Sequence, residues 1–63
     1  MQVRFSASGY GTKLYNFNSI EALMVDVNGT AADLGSEIIH DYGDEIVICD
    51  RDGDEAARWE ILK

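Results

Sequence analysis

A second cysteine, a long apolar run and a balancing set of cations are all missing from this chain. Cys49 is the only cysteine among 63 residues, so no internal disulfide is available. No apolar segment approaches the roughly 20 residues that span a bilayer. The opening MQVRFSASG has no apolar core of a secretion signal, which leads us to expect a cytoplasmic protein. Five Lys and Arg face twelve Asp and Glu, for a formal charge of −7. That balance disfavours nucleic acid or an anionic membrane as a direct ligand and favours a basic partner.

What is present suits a folded protein. The hydrophobic fraction is 46%, ordinary for a globular domain. The length suits one compact domain over residues 1–63, near the lower limit for folding without disulfide or metal, and too small for a deep cavity. Charge is unevenly placed. Residues 1–20 hold Arg4 and Lys13 and no acid, a net of +2, whereas residues 21–63 hold all 12 acids against Arg51, Arg58 and Lys63, a net of −9. One acidic surface is therefore expected.

QVRFSAS alternates, with Val3, Phe5 and Ala7 on one side and Gln2, Arg4, Ser6 and Ser8 on the other, the period of a half-buried strand. Gly9-Tyr10-Gly11 supplies a turn, and a second strand over residues 13–17 completes a hairpin. Tyr10 at its tip is either an ordinary loop residue or an exposed aromatic anchor. In FNSIEALM, Asn18 is positioned as an N-cap, with Glu21 completing a capping box and Phe17 as a staple. Ile20, Leu23, Met24, Val27, Ala31 and Leu34 then form one helical stripe ending at Gly35. Asn28-Gly29 leaves open a break, with Thr30 and Asp33 capping a second short helix. Continuation of a helix through residues 30–42, using Leu34, Ile38 and Tyr42, is a further alternative.

The remaining chain reads as three strands. With Asp52-Gly53 at the centre of a primed turn, Asp50 faces Glu55, Ile48 faces Ala57, Ile46 faces Trp59 and Glu45 faces Glu60. This register gathers Ile46, Ile48, Ala57, Trp59 and Ile61 on one face, and a slip of one residue scatters them. A turn at Gly43-Asp44 places Ile39 beside Ile48, His40 beside Val47 and Ile38 beside Cys49. The expected fold is α+β, an antiparallel sheet of about five strands in the order β-β-α-β-β-β with one helix packed on one face.

CDRDGDE, residues 49–55, is the most acidic stretch. A calcium loop starting at Asp50 would need Gly at its sixth place and Glu at its twelfth; Gly53 falls at the fourth and Ile61 at the twelfth. No metal site or cofactor is expected. His40 and Cys49, the only residues of their kinds, have no third group to orient them and no cleft, and no nucleophile set or phosphate loop occurs, so we expect no enzyme. Lys and Arg are too few beside the aromatics for a nucleic-acid stacking platform.

Asp41, Asp44, Glu45, Asp50, Asp52, Asp54 and Glu55 are seven acids in fifteen residues, and Glu60 joins them across the strand pair. Like charges facing each other across strands cost stability, and the turn needs only Asp52 and Gly53. These eight residues are the expected partner-binding site, a carboxylate-studded hairpin entering a groove of Lys and Arg that otherwise holds a nucleic acid. A plain acidic coat that keeps the protein soluble and guards sheet edges is the simpler alternative.

An acidic α+β chain this short, without a catalytic motif, resembles the phage-encoded anti-CRISPR proteins and other anti-restriction mimics of nucleic acid. The likeness lies in size, charge and texture across the whole chain. It implies a stoichiometric inhibitor, acting in a bacterial host's cytoplasm as a monomer or homodimer, that covers the nucleic-acid-binding surface of a defence protein such as a CRISPR effector subunit. The expected alternative is a structural or adaptor module that binds its partner through apolar surface around Tyr10, Tyr15 and Tyr42.

Overall fold

Alternation in the opening segment becomes β1, Gln2–Ala7, which turns back into β2, Gly11–Asn16, in the computed structural model; it describes residues 1–36 and 38–62. The helix α1 spans Ile20–Leu34, and β3 (Ile38–Asp41), β4 (Glu45–Cys49) and β5 (Glu55–Leu62) complete one antiparallel sheet in the order β2-β1-β5-β4-β3. The expected α+β layout is therefore present. The first and last strands meet in the middle, with Val3 facing Ile61 and Phe5 facing Trp59.

The helix begins one residue later than the capping-box pattern suggests. Ser19, not Asn18, is the N-cap, its Oγ accepting from Ala22 N–H at 3.1 Å. The cause lies in β2. Phe17 exchanges backbone hydrogen bonds with Met1, so the chain is still strand-paired at residue 17 and needs Asn18 to turn. Gly35, at φ 67°, closes the helix by donating to Ala31 and Ala32 carbonyls, a left-handed position that glycine takes at no steric cost. Among the described residues there is one helix, unbroken at Asn28-Gly29, and residues 38–41 are strand, so both helical alternatives are excluded.

Leu23, Val27 and Ala31 of the stripe are buried, with Met24 partly so, while Ile20 and Leu34 stay exposed at its two ends. They pack on Val3, Ile46, Ile48, Ala57 and Trp59, with Phe5, Phe17 and Ile61 at the margin. Trp59 is 0% exposed and its ring lies 5.0 Å from that of Phe5. Its indole Nε1–H donates to Asp26 Oδ2 at 3.0 Å, so the buried ring keeps its polar handle satisfied and ties β5 to the helix.

The register of β4 on β5 is as expected through the core, with Ile46 facing Trp59, Ile48 facing Ala57 and Glu45 facing Glu60. The turn is different. Asp52 keeps a negative φ, which excludes the primed turn. Gly53 N–H donates to the Asp50 carbonyl at 3.1 Å, Asp50 N–H donates to the Asp54 carbonyl at 2.8 Å, and Gly53 has φ 86°. This is a three-residue loop with glycine in the left-handed position, and it makes Asp50 face Asp54. A bulge then restores the core register, because Cys49 faces Glu55 while Ile48 faces Ala57, leaving Ala56 as the extra residue. The expected pairing of Asp50 with Glu55 is thereby replaced.

Candidate interaction surface

The two loops that hold or adjoin five of the eight expected acids sit at opposite ends of β4. Asp41 and Asp44 flank the β3–β4 turn, and Asp50, Asp52 and Asp54 form the β4–β5 loop. Five residues of strand separate them, about 17 Å at roughly 3.3 Å per residue. Glu45, Glu55 and Glu60 project from the sheet face opposite the helix, as the pairing of Glu45 with Glu60, of Glu60 with Arg4 and of Glu55 with Cys49 requires. The eight expected residues thus form two poles and a connecting face.

Several of these acids serve the fold. Asp50 Oδ1 accepts from Asp52 N–H at 2.9 Å and from Asp54 N–H at 3.0 Å, holding the loop shut. Asp41 Oδ1 does the same for Gly43 N–H at 2.9 Å. Arg58 reaches Glu45 at 2.8 Å and Glu55 at 2.5 Å, and Arg4 lies 3.6 Å from Glu60. The facing pair Glu45 and Glu60 is therefore flanked by a guanidinium on each side. Glu55 and Arg58 are three apart and would point to opposite faces of a regular strand; the bulge at Ala56 turns them to the same face. The hydrogen bonds that Arg58 donates to the Glu55 carboxylate, followed by the fields of Glu55, Glu45 and Glu60, hold the guanidinium above its ordinary pKa.

The expectation that Asp50, Asp54 and Glu55 are surplus to the fold fails for Asp50 and Glu55. Among the described residues, no hydrogen bond or ion pair occupies the side chains of Asp44, Asp52 or Asp54. The last two share their end of the sheet with the end of α1. Ser36, just past the Gly35 cap, donates its hydroxyl to the Cys49 carbonyl next to Asp50. The last turn of the helix carries Asp33 and no basic residue, although the partial negative charge of a helix C-terminus favours cations there. Asp33 was not among the expected residues. Its signal was an acid two residues before a C-capping glycine.

Below the Arg58 bridge, Val47 and Cys49 are buried at the floor of a shallow depression walled by His40, Tyr42, Glu45, Glu55 and Arg58. The His40 and Tyr42 rings stack 6.0 Å apart. Cys49 is 9% exposed and acts as a packed apolar residue. On the helix side, a groove of about 270 Å³ between β1–β2 and the end of α1 is lined by Phe5, Ala7, Tyr10, Lys13, Tyr15, Thr30, Asp33 and Leu34. Tyr10 and Tyr15 share this groove, while Tyr42 stands at the far edge of the sheet. The three tyrosines do not form one surface. Among the described residues, no three His, Cys, Asp or Glu side chains are grouped to hold a metal ion, and no helix is long and apolar enough to cross a membrane.

No family model, curated protein or solved structure matches this chain. The case for a function rests on the arrangement of its own side chains.

Proposed function

We propose that the protein is a non-enzymatic inhibitor that docks its acidic pole, Asp33, Asp52 and Asp54 around the end of α1, into the basic nucleic-acid-binding groove of a host defence protein, in the manner of an anti-CRISPR mimic. The observation that carries this reading is that the loop carboxylates Asp52 and Asp54 meet no cation among the described residues, at the end of the sheet where the last turn of α1 carries Asp33, no basic residue and the partial negative charge of a helix C-terminus. Such a pole raises the association rate with a cationic groove and offers carboxylates for bidentate arginine contacts. Asp44, at the opposite end of β4, adds a further carboxylate with no side-chain partner among the described residues, while Glu45 and Glu60 are held by Arg58 and Arg4.

The test uses the protein immobilised and exposed to a bacterial lysate. A nucleic-acid-binding protein should be retained at low salt, released between about 50 and 200 mM salt, and displaced by added DNA duplex. The triple variant Asp33→Asn, Asp52→Asn, Asp54→Asn should retain none of it while remaining folded. Retention indifferent to salt, DNA and these substitutions refutes the proposal. The second reading, an adaptor module, draws support from the groove of Phe5, Tyr10, Tyr15 and Leu34; it requires salt-insensitive binding that Tyr10→Ala abolishes.

A further inference from the structure

The outer edge of the sheet is β2, and all six of its residues are exposed. Met1 and Phe17 exchange hydrogen bonds in both directions, at 3.0 and 2.9 Å, which makes them a hydrogen-bonded pair of the ladder. Alternation from that pair turns the backbone groups of Gly11, Lys13 and Tyr15 toward β1 and those of Thr12, Leu14 and Asn16 outward. The six pairs of β1 with β2 run without a bulge. Sheet edges are usually blunted by short strands, bulges, proline or inward-pointing charge, and this one carries only Lys13. Leu14 is 58% exposed on the helix-free face. The opposite edge, β3, has four residues and ends in Asp41.

We propose that β2 pairs antiparallel with β2 of a second copy, joining two sheets into one ten-stranded sheet. The occupant follows from charge and symmetry. In a chain of formal charge −7, residues 1–20 carry Arg4 and Lys13 and no acid, so two copies meet with least repulsion at this hairpin. A two-fold axis normal to the sheet reverses the strand and keeps the helix side, which obliges one residue to face its own copy. Only Leu14 on Leu14 brings all three outward residues into hydrogen-bonded pairs, Thr12 with Asn16, Leu14 with Leu14 and Asn16 with Thr12. It also sets Lys13 against Tyr15 of the second copy on the helix side, an ammonium beside an aromatic ring. Lys13 on Lys13, the neighbouring register, opposes like charges. A single strand pair lies at the small end of stable interfaces, so the dimer should dissociate on dilution.

Sedimentation equilibrium up to about 1 mM protein should show a concentration-dependent dimer, with the Thr12, Leu14 and Asn16 amides protected from hydrogen exchange only at high concentration. Leu14→Lys should weaken the dimer by about tenfold or more, and Leu14→Pro, which removes an outward N–H and leaves the β1 pairing intact, should abolish it. In a Cys49→Ala background, Leu14→Cys should oxidise to a covalent dimer, because facing Cα atoms at about 5.5 Å suit a disulfide, and Lys13→Cys should not. A chain that stays monomeric overturns the proposal. So does a dimer that survives both Leu14 substitutions, protection confined to other amides, or cross-linking through Lys13→Cys in place of Leu14→Cys. Salt strengthens or spares this association and weakens docking of the acidic pole, so the two can fail independently.

Discussion

The two hairpins of this sheet are opposites. β1–β2 is cationic, regular and unbulged, and its outer strand is open to solvent. β4–β5 is acidic, carries a bulge and lies well inside the sheet, with β1 on one side and β3 on the other. In β4–β5, apolar burial sets the register and the loop adapts to it: three loop residues move Asp50 onto Asp54, and Ala56 absorbs the offset before the core is reached. In β1–β2 no such conflict exists, because β2 contributes no buried residue. Irregular backbone appears where packing and loop geometry disagree.

Substitutions can break this contrast at graded cost. Trp59→Ala, in β5, removes the largest buried side chain and should cost about 3–5 kcal/mol, enough to unfold most of a domain this small; Leu14→Ala in β2 should stay within about 0.5 kcal/mol. Urea unfolding followed by circular dichroism measures both. Gly53→Ala forces an L side chain to φ 86° and should cost about 1–2 kcal/mol by the same measurement. Asp50→Ala releases two loop N–H groups and should cost about 1 kcal/mol, whereas Asp52→Asn should leave stability within about 0.5 kcal/mol. Equal effects of the last two would mean that the loop does not depend on the Asp50 carboxylate.

The core was legible in the sequence because five apolar residues, Ile46, Ile48, Ala57, Trp59 and Ile61, tolerate only one register. The loop was not, because Asp-Gly fits both a two-residue primed turn and the end of a three-residue loop; what decides is Asp50, whose side chain reaches over two backbone amides. The helix cap was missed by one residue, since Asn18 and Ser19 are both good caps and the choice lies with the pairing of Phe17 to Met1. The acids were located individually, yet their division into two poles depends on which ends of β4 the loops occupy. The clamp at Arg58 was hidden as well, because a spacing of three in a strand reads as opposite faces until the bulge is known.

Pairing of β1 with β5 joins residues 2–7 to residues 57–62 across almost the full length of the chain. The two strands at the middle of the sheet are therefore the last to be able to meet during synthesis, and their closure entropy has to be met before Trp59 can be enclosed. Until residues 57–62 leave the ribosome, the β1–β2 hairpin and the helix hold an unroofed apolar face, with β1 itself a second open edge. The nascent chain thus spends its vulnerable interval with adhesive strand edges on both sides of one hairpin, only one of which the finished fold covers.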